Sequence, residues 1–286
     1  MKDMKLGITM EGGANRTIYS CGVTDVFLEE NIMPDYFIGV SAGAAFGVSY
    51  LSGQKGRNLR IARNYVADKR YMGLPHLLNR KERNFFNIDF VFGEIPNKLC
   101  PFDFEAFKAF PGEAIAVVTN IHTGKAEYKK IPRDDNSFRT LVASCALPLL
   151  FQPVKLGNHY YLDGGIADSV PYKKAIEAGC DKNIVILTRP RDYRKKTDQT
   201  VKISSKMYRR YPKIAEAMLG RADKYNACLD ELYQLEKEGK AFVIAPKDTY
   251  GVGRAEKNLE KLEQLYDEGY YQTKLLIPKL REYLNS

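Results

Sequence analysis

Two glycine-flanked motifs, far apart in the chain, hold the residues best suited to chemistry. Ser41 lies at the centre of a GxSxG pattern, and Asp163 begins an Asp-Gly-Gly turn. A serine hydroxyl is a poor nucleophile until a base takes its proton. The class of enzyme therefore depends on the identity of that base, and the sequence points to the Asp163 carboxylate.

Histidine is the more familiar base for a serine nucleophile, and the chain has three: His76, His122 and His159. In α/β-hydrolases the serine follows several strands, and an acid and then a histidine come after it. Ser41 follows only the second predicted strand, and His159 lies in a predicted hairpin close before Asp163. We interpret His159 as a strand or surface residue. A Ser-His-Asp triad stays open here, but no pattern favours it.

The residues around Ser41 have the pattern of a strand that turns sharply into a helix. Residues 35–40 are mostly apolar, and small residues are frequent from 42 to 47. A tight turn crowds its central residue, which accounts for Gly39 and Gly43 on either side. The helix dipole would favour a developing alkoxide at Ser41. The alternative is a structural turn in which Ser41 only caps the helix.

A glycine-rich loop joins the first predicted strand to the first predicted helix. The small residues Gly12, Gly13 and Ala14 let backbone N–H groups point into one cavity at a helix N-terminus. Such a loop can hold a phosphate or stabilise an oxyanion, and Arg16 could bind an anionic substrate or fix the loop. The loop matches neither a P-loop nor GxGxxG. The alternative is a glycine turn needed only for packing.

The Asp163 motif ends a predicted strand with a carboxylate followed by Gly164 and Gly165. A catalytic base must lie within hydrogen-bond reach of the Ser41 hydroxyl, in a site dry enough to strengthen its basicity. The alternative is an ordinary Asp-Gly turn.

The elements that must position these residues alternate as in an α/β fold with a largely parallel sheet. Strands are predicted at 5–10, 36–40, 114–120, 126–131, 160–162, 183–188 and 241–244, and helices at 17–30, 42–51, 225–238 and 254–282. We expect the last helix to break near Pro278. We expect its stripe of Leu259, Leu262, Leu265 and Tyr266 to pack on the core. The predicted division is a catalytic domain over 1–190 and a mainly helical extension over 191–286.

The net charge of +9 is concentrated in two basic stretches, residues 189–213 and 55–83. Such stretches attract polyanions, including anionic lipid head groups, or are simply solvated faces. No helix-turn-helix, RNA-binding aromatic motif or zinc finger favours nucleic acid. Five cysteines without a CxxC pair fit a reducing compartment. With no visible secretory signal or membrane-spanning run, we expect a cytoplasmic protein that needs no metal or cofactor.

Taken together, these motifs resemble the patatin-like phospholipase family. The glycine loop ending at Arg16, the GxSxG around Ser41 and the Asp-Gly-Gly at Asp163 match the family's pattern in order and in rough spacing. Residues 143–154 resemble the family's stretch before the aspartate, and the likeness covers about residues 5–190. It implies a three-layer α/β sandwich with a central, mostly parallel sheet and a C-terminal helical extension.

The resemblance also implies a role for each motif. Ser41 is the nucleophile and Asp163 its base, in a dyad that hydrolyses fatty-acyl esters of lipids through an acyl-enzyme. The backbone N–H groups of Gly12, Gly13 and Ala14 form the oxyanion hole.

Arg16 then orients the glycine loop, and two positions near it depart from the family pattern. The usual third glycine is Ala14, and the glycine after the basic residue is Thr17. A positive φ at Ala14 would cost about 1 kcal/mol and could narrow the hole.

The expected partner is a lipid or another acyl ester. We also expect peripheral contact between the basic segments and the anionic inner surface of a membrane. The aromatic residues Tyr71, Phe85, Phe86, Phe90 and Phe92 could wall an acyl site or pack in the core. Two alternatives stay open: an esterase or thioesterase of soluble acyl substrates, and a patatin-like lipid- or polyanion-binding protein with little turnover.

Overall fold

The candidate residues lie at the ends of strands in the interior of one sheet. The structure is a computed structural model that describes residues 4–78 and 83–286, so residues 79–82 of the second basic stretch lie outside it. The strands are β1 (Leu6–Met10), β2 (Tyr36–Val40), β3 (Glu113–Asn120), β4 (Ala126–Lys130), β5 (Val154–Leu156), β6 (His159–Asp163), β7 (Lys182–Ile186) and β8 (Phe242–Ile244).

These eight strands form one sheet in the order β5-β6-β3-β2-β1-β7-β8, with β4 paired to β3. The pairings from β3 through β2, β1 and β7 to β8 are parallel, whereas β4, β6 and β5 join antiparallel. Every residue of β1 and β2 is buried, as both faces of a parallel sheet require cover. The predicted α/β architecture with a mostly parallel sheet is confirmed.

Helices cover both faces of this sheet. The helices are α1 (Ile18–Glu29), α2 (Ala42–Leu51), α3 (Arg57–Tyr65), α4 (Leu74–Leu77), α5 (Phe104–Ala109), α6 (Arg139–Ser144), α7 (Tyr172–Glu177), α8 (Gln199–Met207), α9 (Pro212–Leu219), α10 (Arg221–Lys237) and α11 (Leu259–Asn285). Short 3₁₀ turns lie at Ala14–Thr17 and Gly164–Ile166, and a π-helical segment at Asp89–Leu99. Among the helices of the described residues, none has the length and apolar character needed to cross a bilayer.

The last helix differs from its prediction. The helix α11 begins at Leu259, where the Asn258 side chain accepts a hydrogen bond from the Lys261 N–H, and it continues past Pro278 without a break. Proline removes a backbone donor, but Ile277 and Leu280 are buried on either side of it. Burial of these side chains holds the helix together, so the expected break is wrong.

The C-terminal part of the chain is built into the same core. Its strand β8 extends the sheet beside β7, and its helix α11 packs on α1. The two helices approach closely at Gly22 and Gly269, where an added Cβ would meet backbone atoms of the opposite helix. The Tyr266 hydroxyl donates to the buried Asp25 carboxylate across this contact. Of the predicted stripe, Leu262, Leu265 and Tyr266 are buried, whereas Leu259 is only partly buried.

Candidate active site

Ser41 occupies the turn between β2 and α2 with a strained backbone. Its φ is 54° and its ψ is −129°, a conformation that L residues adopt at a cost of about 1–3 kcal/mol. Its N–H donates to the Ser144 hydroxyl at 2.9 Å, and that hydroxyl donates to the Val117 carbonyl at 2.7 Å. The turn is thereby tied to the neighbouring strand β3.

The glycines of the GxSxG pattern are required by close packing. A Cβ on Gly39 would lie 2.6 Å from the backbone of Ala44, and one on Gly43 would lie 2.7 Å from the Glu11 carbonyl oxygen. Both distances are far below van der Waals contact. The turn therefore fits under the first strand only with glycine at these two positions.

The register of the sheet brings Ser41 and Asp163 together. On β3, Val117 pairs with Val40, and the next residue, Val118, pairs with Asp163. The end of β2 and the end of β6 thus meet at adjacent residues of one strand. Ser41 and Asp163 line the same cavity, and both are buried.

The Asp163 carboxylate is held in place and kept dry. Its Oδ1 accepts the Gly165 N–H at 2.8 Å, and its backbone carbonyl accepts the Thr119 hydroxyl at 2.8 Å. Its Oδ2 is buried with no hydrogen-bond partner among the described residues. Burial raises the pKa of Asp163, while the Arg221 charge and the nearby Ser41 hydroxyl oppose that rise. No Ser41–Asp163 contact meets full hydrogen-bond geometry, which is common before substrate binds.

Gly164 continues this turn in close contact with β3, since an added Cβ would overlap the Val117 carbonyl. Substitution at this position would push the turn, and Asp163 with it, away from the strand.

The glycine loop lies directly against Ser41. A Cβ on Gly12 would come within 2.6 Å of the Val40 carbonyl oxygen and 2.8 Å of the Ser41 Cβ. The N–H groups of Gly12 and Gly13 have no acceptor in the part of the chain that the structure describes. Ala14 has a φ of 49°, in the region that favours glycine. These amides border the cavity that Ser41 faces.

Glu11, at the start of that loop, is fully engaged as an acceptor. Its carboxylate accepts the Thr188 N–H at 2.7 Å, the Thr188 hydroxyl at 3.0 Å and the Tyr225 hydroxyl at 2.8 Å. It joins the loop after β1, the segment after β7 and helix α10. We interpret Glu11 as a structural link beneath the site.

A polar cavity that opens to solvent and spans about 550 Å³, solvent space included, borders Ser41. It is lined by Glu11, Gly12, Gly13, Ala14, Arg16, Val40, Ser41, Leu147, Asp163, Gly165, Ser169, Thr188, Arg189, Tyr193, Lys195, Arg221 and Arg254. Cationic side chains outnumber carboxylates in this lining. The cavity is therefore suited to negative charge.

A second, apolar cavity, which also opens to solvent and spans about 500 Å³, borders the same serine. It is lined by Ala14, Asn15, Ser41, Ala42, Ala45, Phe46, Tyr71, Phe86, Val91, Phe92, Cys145, Leu147 and Phe151. Ser41 and Ala14 border both cavities. A molecule bound across the serine would meet charge at one end and hydrocarbon at the other.

Comparison with known proteins identifies the family. Residues 8–176, more than half of the chain, match the model described as patatin-like phospholipase. The chain belongs to the patatin-like phospholipase family. Residues 211–285 also match a model described as a domain of unknown function, DUF6363.

The relatives of this chain are distant in sequence. An uncharacterized Escherichia coli (strain K12) protein, YjjU, is 25% identical over 189 residues, covering 65% of this chain and 52% of that protein. A probable lipid hydrolase, 463L, of Invertebrate iridescent virus 6 is 24% identical over 193 residues. The match covers 62% of this chain and 65% of that protein. The chain thus matches about half of the first relative's length and just under two thirds of the second's.

Among solved structures, VipD from Legionella pneumophila aligns with a TM-score of 0.49 at 15% identity. The alignment covers 97% of this chain and 67% of VipD.

Three of the five aromatic residues expected near a patatin-like acyl site line the apolar cavity: Tyr71, Phe86 and Phe92. The other two do not line it. Phe90 is buried in the core, and Phe85 packs edge-on against Phe86, with ring centroids 5.5 Å apart.

Arg16 faces the polar cavity from a buried position and is only 7% exposed. Its Nε has no partner among the described residues, and burial together with the Arg189 charge lowers the pKa of Arg16 to about 10. The guanidinium forms no described hydrogen bond to the glycine loop, so its expected loop-orienting role stays a prediction.

The histidines lie away from the serine. His159 is exposed on β6, and none of the three histidines lines either cavity at Ser41. In the described part of the chain, no three His, Cys, Asp or Glu side chains cluster as a metal site.

Sequence reasoning missed two arginines of the polar cavity, Arg221 and Arg254. Both lie in the segment that matches DUF6363, beyond the patatin-like match. Neither belongs to a motif or to a basic stretch, so nothing local marks them. The basic stretch at 189–213 does contain two other lining residues, Arg189 and Lys195.

Proposed function

We propose that this protein is a serine acyl hydrolase that cleaves fatty-acyl esters of lipids through a Ser41–Asp163 dyad. The observation that carries the proposal is the strand register. Two adjacent residues of β3 pair with Val40, directly before Ser41, and with Asp163, so the ends of β2 and β6 meet. Membership of the patatin-like phospholipase family gives independent support. We propose residues 1–190 as the catalytic domain and 191–286 as an extension packed on it.

In the first half-reaction, Asp163 takes the Ser41 proton as Oγ attacks the ester carbonyl carbon. Negative charge moves to the carbonyl oxygen, where the N–H groups of Gly12, Gly13 and Ala14 stabilise it. When the tetrahedral intermediate collapses, the bond to the leaving alkoxide breaks, and that oxygen takes the proton from Asp163. The acyl group remains on Ser41.

In the second half-reaction, Asp163 takes a proton from water as the water oxygen attacks the acyl carbon. Ser41 leaves and regains the proton, and the fatty acid departs. Burial of Asp163 supports this role because a desolvated carboxylate is a stronger base. The apolar cavity holds the acyl chain throughout.

Hydrolysis of 4-nitrophenyl esters and of phospholipids by Ser41→Ala and Asp163→Asn tests the dyad. We expect both variants to lose at least about 10³-fold in kcat, since removing a nucleophile or its base removes covalent catalysis. The exposed Asp192→Asn is the matched control and should retain wild-type turnover. A fluorophosphonate should label Ser41 in the wild-type protein. Turnover that survives in Ser41→Ala would exclude the dyad.

A second candidate function is lipid binding with little turnover, and the backbone of Ala14 favours it. A residue other than glycine at a φ of 49° adds strain beside the proposed oxyanion hole. Absence of fluorophosphonate labelling, together with retained lipid binding, would select this candidate. Activity on short soluble esters or thioesters alone would select a soluble-substrate esterase.

A further inference from the structure

Five basic side chains converge on the polar cavity: Arg16, Arg189, Lys195, Arg221 and Arg254. Within the described residues, none of the five forms a salt bridge. Arginines nearby on the surface do, as Arg194 pairs with Asp230 at 2.9 Å. The five basic side chains outnumber the two carboxylates of the lining, Glu11 and Asp163, and repel one another, so the cluster favours an anionic ligand.

Desolvation of the buried guanidinium groups costs free energy unless an acceptor satisfies them. Nε of Arg16 and Nε of Arg221 are both buried without a hydrogen-bond partner among the described residues. Burial lowers the pKa of Arg221, and it lowers the pKa of Lys195 to about 7. An anion with several acceptor oxygens would satisfy these donors together.

The cluster is also held in position. The backbone of Lys195 exchanges two hydrogen bonds with the Asn226 side chain on α10, and its Nζ lies 4.2 Å from the Tyr225 ring centroid. The Arg189 guanidinium lies 4.6 Å from the ring centroid of Tyr193. Lys195 and Arg189 are therefore positioned at the cavity by contacts within the protein.

The same cavity offers nothing to a cationic group. Its two carboxylates are Glu11 and Asp163. Glu11 already accepts three hydrogen bonds, and Asp163 is the proposed base. The rings of Tyr193 and Tyr225 already contact basic side chains. A head group bearing an ammonium would face five basic side chains against these two carboxylates, so the net charge of the lining disfavours it.

We propose that the basic cavity is a subsite for the phosphate of an anionic lipid that carries no ammonium group, and that the C-terminal segment supplies Arg221 and Arg254 to it. The subsite and the apolar cavity share Ala14, Ser41 and Leu147, so one lipid would contact both and pass the serine. The substrate assignment rests on the proposed function, whereas binding of the phosphate does not.

Binding is measured by calorimetry with Ser41→Ala protein, which does not turn over. The probes are monomeric dihexanoyl phosphatidylglycerol, dihexanoyl phosphatidylcholine and inorganic phosphate. We expect phosphatidylglycerol to bind at least tenfold more tightly than phosphatidylcholine. Equal affinity for the two lipids would overturn the proposal. Inorganic phosphate bound as tightly as phosphatidylglycerol would overturn the lipid assignment in favour of a soluble phosphate.

The role of the C-terminal segment is tested by adding Arg254→Gln, at the exposed rim of the cavity, to Ser41→Ala. Affinity for phosphatidylglycerol should fall at least tenfold and that for phosphatidylcholine should not, while Arg254→Lys should recover most of the loss. Arg194→Gln is the matched control and should change neither. Unchanged affinity in the Arg254→Gln protein, confirmed as folded by its thermal transition, would exclude this role.

Kinetics separate the two proposals. With active protein, the ratio of kcat/KM for phosphatidylglycerol over phosphatidylcholine should drop at least tenfold in Arg254→Gln. If the wild type hydrolyses no ester but Ser41→Ala still selects phosphatidylglycerol, the subsite stands and the hydrolase fails. If hydrolysis is robust without head-group preference, the hydrolase stands and the subsite fails.

Discussion

At the scale of single residues, the site combines a serine with a strained backbone and a desolvated carboxylate. Ser41 and Ala14 both have positive φ, and both border the polar and the apolar cavity. Surrounding contacts must hold such conformations in place. For Ser41 these include the Ser144 hydrogen bond, whereas for Ala14 glycine would relieve the strain directly.

Replacement of Ala14 by glycine should raise the free energy of unfolding by about 0.5–1 kcal/mol. Glycine removes the cost of about 1–2 kcal/mol that alanine incurs in the left-handed conformation. Its greater conformational freedom in the unfolded chain offsets part of this stabilisation. Urea denaturation followed by circular dichroism measures the change. Ala215→Gly, in the interior of α9, is the matched control and should destabilise by about 1 kcal/mol. If Ala14→Gly instead lowered the free energy of unfolding, the backbone of Ala14 would not be strained.

Hydrolysis of a neutral 4-nitrophenyl ester should lose activity on acidification at a pH above the ordinary aspartate range. Only ionised Asp163 accepts the Ser41 proton, and burial raises its pKa. The Arg221 charge opposes this rise, so Arg221→Gln should move the acid limb of kcat/KM to higher pH, and Arg221→Lys should not.

This pH profile is measured in a Lys195→Met background, because Lys195 has a pKa of about 7 and faces the same cavity. Arg194→Gln should leave the limb in place. An acid limb that does not respond to Arg221→Gln would remove Asp163 from the role of base.

At the scale of elements, helix α8 exposes apolar and basic side chains side by side, as helices that lie on a membrane surface do. Ile203 and Met207 lie one turn apart and are 54% and 60% exposed, with Lys202 and Lys206 exposed beside them. An apolar pair flanked by lysines suits the surface of an anionic bilayer. Val201 and Ser204 of the same helix share a cleft with Arg221 and Arg254. We propose that α8 contacts the membrane beside the entrance to the polar cavity.

Replacement of Ile203 and Met207 together by serine should reduce sedimentation with phosphatidylglycerol vesicles several-fold, because it removes the apolar part of the contact. Binding of the wild type should weaken as salt rises, since the lysine contribution is screened. Leu275→Ser, which changes an 81% exposed leucine on α11, should have no effect. Equal binding of the wild type to phosphatidylcholine vesicles would exclude this surface.

Elements with a strong local pattern were predictable. Strands β1 and β2 and the turn at Ser41 follow from apolar runs and small residues next to each other in the chain. The continuity of α11 through Pro278 was not predictable, because it depends on Leu280 being buried by distant parts of the fold. Arg221 and Arg254 were missed for the same reason, since only tertiary packing brings them to the cavity.

At the scale of the whole molecule, the patatin-like part and the C-terminal segment share one core and one cavity. The strand β8 extends the central sheet, and helix α11 is packed on α1 through Gly22 and Gly269. The Tyr225 hydroxyl of α10 donates to Glu11 directly before the glycine loop. Loosening of the C-terminal helices would therefore disturb the proposed oxyanion hole as well as the basic cavity.

The position of these late segments has a consequence for biosynthesis. Ser41 and Asp163 leave the ribosome well before Arg221, Arg254 and helix α11 do. Until those residues emerge, β7 has an open edge, α1 has an uncovered face, and the cavity lacks two of its cations. A nascent chain would thus carry Ser41 and Asp163 without a finished site, and the proposed lipid hydrolysis would begin only once these segments have been synthesised and have docked.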